Sequence, residues 1–444
     1  MEEKNSEKKE RKMRDSGIPW IGEVPEGWGM SPLKYNYNIL AGATPDSTKQ
    51  NFWDGNIKWI TPADYKTKDV YVSFGKRNLT SAGYKACSTH MLPKGSIVIS
   101  KRAPIGSVAI TTSDLCTNQG CLGLVAKNKF VNNKYFYYVL SIYDDVLNLY
   151  GSGTTFKEIS ANVFSNIEFP SPSVTIQNSI ADFLDSKCSE IDALIENLRA
   201  RMESVKEYKK AVITEAVTKG LDKDAKMKDS GVEWIGEVPE GWKICKVKQI
   251  SNKITDGAHI SPNTTNGEFK FLSVTNMNDT GALDFVNCLK INSVQYAYLV
   301  KTGCQPKKDD VLISKDGTIG KTTVVSDNNF VVASSLVIIR PNQLKIRPKY
   351  LKYCLMSNIV QEQLLSVLAG SALKRVSIEK NANLKFVYTY DMTTQQQIID
   401  YLDSKCSEID TLLQNYEDQI ATLEEYKKSL IYEYVTGKKE VPEA

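Results

Sequence analysis

The stretch MRDSGIPWIGEVPEGW at residues 13–28 is written again, almost letter for letter, as MKDSGVEWIGEVPEGW at 227–242. A second block, LDSKCSEID at 184–192, returns at 402–410. The offsets are 214 and 218 residues, so the segments between the blocks differ in length by only four. Self-similarity at so long a period describes a tandem duplication, two related domains in a pseudo-twofold chain, rather than a short-period solenoid. Whatever such a chain binds is expected to have two halves.

The segments between the blocks have diverged, but three anchors still align them. GSIVISKRAPIG, ending at Gly106, matches DDVLISKDGTIG, ending at Gly320. KYFYYVL from Lys134 parallels KYLKYCL from Lys349, and GSGTTFKEIS ending at Ser160 echoes LAGSALKRVS ending at Ser377. Short apolar runs at 57–60, 96–100, 108–111, 269–274, 311–314 and 331–339, punctuated by Gly, Pro, Asn and Asp, predict strands. Apolar periodicity over 133–149 and 348–368 predicts helices among them, so each variable domain is mixed α and β. The repeated boxes, with Trp20, Trp28, Trp234 and Trp242 interleaved with Gly and Pro, read as extended, turn-rich packing segments.

After each variable domain the pattern changes to a long helical stripe. Ile180, Leu184, Cys188, Ile191, Ile195, Leu198, Met202, Val205, Tyr208 and Val212 recur every three or four positions. The copy keeps every one apolar: Ile398, Leu402, Cys406, Ile409, Leu413, Tyr416, Ile420, Leu423, Tyr426 and Leu430. A stripe of this kind with charged outer faces is a coiled-coil seam, and two copies of it predict two helices that pair with each other. Some 40 residues at 1.5 Å each span about 60 Å, more than one domain needs for its own core. The helices read as a spacer.

Composition bounds the class. The chain of 444 residues, 41% of them hydrophobic, suits two or three well-cored domains. Nine cysteines form no CxxC pair and leave at least one unpaired in any disulfide scheme, which points to reduced thiols. The charged N-terminal segment lacks an apolar core, and eighteen uninterrupted apolar residues occur nowhere, so neither signal peptide nor membrane span is expected and the protein is placed in the cytoplasm. The net charge of +4 is a sum of unlike parts. Residues 31–172 carry 15 Lys and Arg against 9 Asp and Glu, a balance of +6, and residues 245–390 carry 19 against 10, or +9. The shared remainder is left at −11. Basic readers on an acidic scaffold fit a polyanion partner.

Box, variable domain and long helix, each repeated, resemble the specificity subunit of a type I restriction-modification system. The resemblance covers nearly the whole chain. It rests on the WIGEVPEGW boxes, on Thr44 and Pro45, on FPSPSVTIQNSIADFLD at 169–185 and on the duplicated helices. It implies two homologous target-recognition domains, mixed α+β, in a pseudo-twofold arrangement separated by two long antiparallel coiled-coil helices. The expected division is a disordered N-terminus at 1–12, a first target-recognition domain with its Trp box at 13–172 and a first spacer helix at 173–218. A linker at 219–226, a second recognition domain at 227–392, a second spacer helix at 393–436 and a flexible tail at 437–444 complete it. The resemblance also implies double-stranded DNA as target, probing one half-site per domain, and two modification subunits and restriction-translocase subunits as partners. S-adenosylmethionine, ATP and magnesium would be bound by those partners and none by this chain. One departure stands out: the second copy reads YTYDMTTQQQIIDYLD and lacks the Pro170 and Pro172 pair, so the entry to its helix is expected to differ.

A DNA reader needs Lys and Arg for phosphates and amide or short polar side chains for base edges, carried on loops. In the first domain Lys58, Thr61, Asp64, Lys66, Lys101, Arg102, Gln119 and Lys157 fall at expected strand ends or turns. In the second, Lys270, Thr275, Asn276, Asn278, Lys315, Asp316, Lys321, Lys374 and Arg375 take corresponding places. The shared turns Ser100–Lys101 and Ser314–Lys315 are expected phosphate clamps, because register must be set alike in both halves.

Catalysis in the chain itself finds little support. The only histidines, His90 and His259, have no counterparts in the other copy, which excludes imidazole or zinc chemistry shared by the halves. KDGTIGKT at 315–322 approaches a phosphate loop but has Lys315 where the first glycine is required, and it reads as a turn between strands. Two other readings compete with DNA recognition: a protein-binding scaffold, and a nuclease built on Asp256, Glu268 and Lys270. Finally, the tail VTGKKEVPEA matches the link after the first helix, so the chain should be circular in layout, with its start and end close together.

Overall fold

A computed structural model describes residues 11–66, 69–102, 104–152, 157–265, 267–278, 280–369 and 375–442. The chain divides into two compact units, one running to Asn197 and resuming at Asp418, the other Leu198–Glu417. The division falls inside both long helices, Val174–Lys219 and Met392–Val435. Each unit therefore owns one box, one variable domain, the first half of its own helix and the last half of the other copy's helix.

Within each unit the two half-helices run antiparallel. In the first, Phe183 packs on Tyr434 with ring centroids 4.5 Å apart, and farther along Asp192 meets Lys427 at 2.7 Å. In the second, Lys209 meets Asp410 at 2.6 Å, and Val212, Ile213, Ala216 and Val217 share a core with Ile398, Leu402 and Cys406. Most of the seam is as the stripe predicts: Leu184, Ile191, Ile195, Met202, Leu402 and Ile409 are buried, and Leu198, Val205, Leu413, Tyr416, Ile420 and Leu423 are half-buried. The stripe fails at one repeated position. Tyr208 and Tyr426 are 59% and 55% exposed. At the next position in each copy, Lys209 and Lys427 cross to the partner helix instead, so a charged contact takes the place that periodicity gave to the tyrosine.

The two variable domains are built to one plan. The first has a five-stranded sheet in the order Tyr37–Ala41, Cys121–Ala126, Ile97–Ser100, Val108–Thr111, Tyr71–Val72. The second has Ser251–Asp256, Leu336–Pro341, Val311–Ser314, Thr322–Val324, the same order without the last strand. Ile97–Ser100 and Val311–Ser314 are buried throughout, as unbroken apolar runs in a sheet centre should be. A second, three-stranded sheet also recurs, with Trp53–Ile60 parallel to Cys116–Thr117 and antiparallel to Arg77–Leu79, and Phe269–Leu272 parallel to Phe330–Val332 and antiparallel to Leu289–Ile291. Each expected helix is broken into two: Asn133–Ser141 then Asp144–Tyr150, and Pro348–Met356 then Asn358–Ala369. A serine sits at both breaks and turns its hydroxyl back on the helix, Ser141 to the Tyr138 carbonyl at 2.8 Å and Ser357 to that of Cys354 at 2.6 Å. Such back-bonding competes with the helical ladder.

The boxes form matching hairpins, Met13–Asp15 on Glu23–Pro25 and Met227–Asp229 on Glu237–Pro239, with Asp15 and Asp229 each accepting from the glycine N–H two residues on, both at 2.9 Å. Their second tryptophans, Trp28 and Trp242, are buried against the ends of the long helices. The helix entries also match more closely than the missing prolines suggest, since Glu168–Ser171 and Lys385–Tyr388 both pair as edge strands before the helix begins. At the cap Asp391 accepts from the backbone of Thr393 and Thr394 at 2.9 and 3.3 Å where the first copy has Ser173, and Tyr388 and Tyr390 stand in the places of Pro170 and Pro172.

The chain ends pack more firmly than composition suggests. Arg11 reaches Glu440 at 3.3 Å, the Lys12 carbonyl accepts from Glu26, and Gly437 lies against Pro25 and Trp28. Residues 1–10 and 443–444 lie outside the described residues. With Arg11 and Glu440 in contact, a chain opened at Lys219, with a short linker between residues 440 and 11, should melt within a few degrees of the parent by calorimetry. Loss of cooperative melting would contradict the layout.

Candidate nucleic-acid interface

The sequence candidates divide into surface residues and residues that hold the scaffold. Ser100 and Ser314 are buried, and their hydroxyls close identical turns: each donates at 2.6 Å to a carbonyl four residues on, Pro104 or Thr318, and accepts at 2.9 Å from the N–H of Ser107 or Lys321. These serines face inward, which does not suit the phosphate-clamp expectation. Lys315 is buried too, 3.1 Å from Asp256, and Lys101 meets Glu158 at 2.7 Å. Burying an ammonium requires a counter-ion, and here the protein supplies it. The segment 315–321 is the expected turn between strands.

The residues beside these lysines form a clamp whose polarity inverts between copies. In the first unit Arg102 pairs with Glu158 at 2.7 Å across an isolated backbone bridge. In the second, Asp316 pairs with Arg375, bidentate at 2.7 and 2.9 Å, across the equivalent bridge. Because position 375 is a cation, Lys315 cannot use it and turns to Asp256, which also accepts from His259 at 2.8 Å. Asp256 is therefore engaged with a scaffold lysine, while Lys270 lies over the Phe285 ring, an arrangement unlike a nuclease set. His90 is exposed, with its ring 3.3 Å from the Ala41 carbonyl.

Thr61 and Asp64 also have a structural task, a capping box in which Asp64 accepts from the Thr61 N–H and hydroxyl, both at 2.8 Å. Ser273 and the buried Asn276 make the equivalent box in the second unit, a match the sequence comparison missed although both turns directly follow a strand. Lys58 is half-buried and donates to Ser113 at 2.8 Å, and Lys321 donates to the Met277 carbonyl at 2.9 Å. Lys66, Arg102, Gln119 and Lys157 are exposed in the first unit, and Thr275, Asn278 and Arg375 in the second. Gln119 accepts from Thr44, and Asn278 organises its own turn by accepting from Thr280 and Ala282. Lys374 lies outside the described residues.

Hydrogen bonds from Lys101 hold the Glu158 carboxyl below the usual glutamate range; partial desolvation opposes this and Arg102 adds to it. A depressed carboxyl stabilises the fold above its unfolded value, about 4.3, and the contribution is lost as pH falls through the lower folded value. Glu158→Gln should flatten the acid limb of a stability–pH curve measured by denaturant melts between about pH 5 and 2. An unchanged limb would show the clamp to be energetically idle.

Among the described residues no group of three or more His, Cys, Asp or Glu is placed to hold a metal, and no helix is long and apolar enough to cross a membrane. No disulfide joins the nine cysteines, and burial pushes the Cys116 and Cys121 thiols up to about 12.

Two domains of one plan, each carried on paired helices, define a duplicated scaffold. The type I restriction modification DNA specificity domain model matches this chain twice, over residues 25–204 and 239–422, and the chain belongs to that family as a specificity subunit. It is 27% identical over 437 residues to the type I restriction enzyme MjaIX specificity subunit of Methanocaldococcus jannaschii, covering 95% of this chain and 96% of the relative. It is 24% identical to the EcoBI specificity subunit of Escherichia coli over 73% of this chain and 69% of that one. A solved chain from work on complex assembly and conformational transition of the type I R-M system has the same fold, with a TM-score of 0.66 at 15% identity, covering 94% of this chain and 99% of that one.

Proposed function

We propose that this chain reads a bipartite, asymmetric DNA site, one half-site per variable domain, with the gap set by the length of the paired helices. In this reading it positions methyltransferase and restriction subunits for adenine methylation or ATP-dependent cleavage in the cytoplasm. S-adenosylmethionine, ATP and magnesium act on those partners, and this chain supplies recognition alone. The observation that carries the reading is the contrast between what the copies share and where they differ. The sheets, the serine-closed turns and the capping boxes are common to both. The exposed residues around them are not: Lys66, Gln119 and Arg102 in one domain, Thr275, Asn278 and Arg375 in the other. A common frame with unlike polar edges suits two different half-sites, and the basic balance of both domains suits phosphate contacts.

The test is selection of random DNA duplexes by the full chain with its modification subunits, followed by sequencing and a salt titration. The expected result is two unlike motifs at one fixed gap, with affinity falling steeply as salt rises through counter-ion release. Salt-independent binding of a protein partner and no duplex enrichment would favour a protein scaffold instead.

A further inference from the structure

Each variable domain rests on its own long helix through the same three side chains. In the first unit Tyr138 donates to Asp185 Oδ1 at 2.8 Å, and Lys134 pairs with Oδ2 of the same carboxylate. In the second, Tyr353 donates to Asp403 Oδ1 at 2.6 Å, and Lys349 pairs with Oδ2, also at 2.6 Å. The two carboxylate oxygens are assigned the same way in both copies. Around them the sequence has drifted: the three residues between Tyr135 and Tyr138 and beyond, Phe136, Tyr137 and Val139, are replaced by Leu351, Lys352 and Cys354. The three polar partners were kept by both halves, as were the buried Tyr135 and Leu140, matched by Tyr350 and Leu355.

Packing alone leaves an angle loosely defined, because hydrophobic contact has no direction, whereas two hydrogen bonds to one carboxylate fix a rotation as well as a distance. Beside each carboxylate lies a cleft, of about 480 Å³ in the first unit and about 460 Å³ in the second. Next to the cleft Phe136 and Leu140 share a core with Leu184 and Cys188, and Leu351 and Leu355 share one with Leu402 and Cys406, so apolar packing holds each domain to its helix and the polar contacts add a direction to it. Partial burial works against the Asp403 carboxylate, but hydrogen bonds from Lys349 and Tyr353 outweigh it and hold its carboxyl below the usual range, as a lasting ionic tether requires.

We propose that these two Lys–Tyr–Asp triads are angular locks: positioning residues that fix each reader on its helix and so decide how strictly the gap between half-sites is measured. This rests on the bipartite reading above. One extra base pair moves a half-site about 3.4 Å along the duplex and about 35° around it. A locked reader cannot follow that rotation, and a loosened one can.

The experiment is the same duplex selection, run with the full chain and its modification subunits, reading half-site motifs and gap lengths together. The parent should recover a neighbouring gap at least about tenfold less often than the preferred one, the cost of about one lost base-pair contact or more. Asp185→Asn and Asp403→Asn should each keep both motifs but bring gaps one base pair shorter or longer to within about threefold. Lys134→Arg, which preserves the ion pair, should keep the narrow distribution of the parent. Tyr138→Phe, which removes one hydroxyl and little else, should broaden the gap in the same direction and serves if the aspartate variants fold poorly. General destabilisation lowers total recovery without widening the distribution of gaps. Variants as strict as the parent would overturn the lock alone. A parent that shows no gap preference would overturn the bipartite reading, and the lock with it.

Discussion

Replacing residues 31–172 with the corresponding segment of a relative is expected to change one half of the recognised DNA site completely and to leave the other half and the gap as they were. The first domain closes its cores inside its own unit: Trp53, Trp59, Leu79 and Cys116 form one cluster, and Ile60, Leu92, Val98 and Leu115 another. Its attachment to the scaffold is made by the Tyr138 and Lys134 contacts to Asp185, which recur in the other copy, by the pairing of Glu168–Ser171 with Gly29–Pro32, and by the core that Phe136 and Leu140 share with Leu184 and Cys188. A donor carrying the same Lys–Tyr attachment should therefore seat on the same helix. Each base pair no longer matched costs about 1–3 kcal/mol, so losing two or three should reduce affinity for the original site by at least about thirtyfold. Sequencing of selected duplexes would reveal it. A swap that altered both motifs, or neither, would remove the case for independent readers.

Much of this arrangement is legible in the sequence, and the reason lies in repetition. A duplicated box and a duplicated stripe give the architecture without any contact being known, and runs such as Val311–Ser314 and Val108–Thr111 read as strands because a buried sheet centre favours apolar side chains. Polar residues are harder to read, since a letter does not say which way its side chain turns. Ser100, Ser314 and Lys315 look like surface residues and are buried, because a hydroxyl that closes a turn and an ammonium beside Asp256 bring their own partners. Tyr208 and Tyr426 sit in phase with the seam and are exposed, since an adjacent lysine reaches across to an aspartate in the place they would fill. The inverted clamp of Arg102–Glu158 and Asp316–Arg375 appears in an alignment as two unrelated substitutions; only the shared backbone bridge joins them.

Gln177→Leu or Gln395→Leu should cost about 3–5 kcal/mol of stability, although a glutamine in the first turn of a polar helix suggests nothing of the kind. These residues occupy the same position in the two copies and are almost wholly buried, at 2% and 0% exposure. Gln395 Oε1 accepts from the Arg347 N–H at 2.8 Å, and its Nε2 donates to the carbonyls of Thr389 at 2.8 Å and Lys345 at 3.0 Å. Gln177 accepts from Asn132 at 2.9 Å and donates to Pro172 at 2.8 Å and Phe130 at 3.4 Å. One amide thus stitches the start of a long helix to the segment that precedes it and to the loop that leads into the helix bearing Lys134 or Lys349. Leucine fills similar space but strips the partner from an N–H and from the Pro172 or Thr389 carbonyl, at about 1–3 kcal/mol for each group that water cannot reach, while the Lys345 carbonyl keeps the Tyr388 hydroxyl at 2.7 Å. The loss should appear in urea melts of the full chain as an early transition for the unit that carries the change. Gln397→Leu, at an exposed position two residues on from Gln395, should shift stability by no more than about 0.5 kcal/mol. Equal effects at 395 and 397 would mean that the buried amide does not hold the helix entry, and that the missing Pro170–Pro172 pair must be compensated by Asp391 alone.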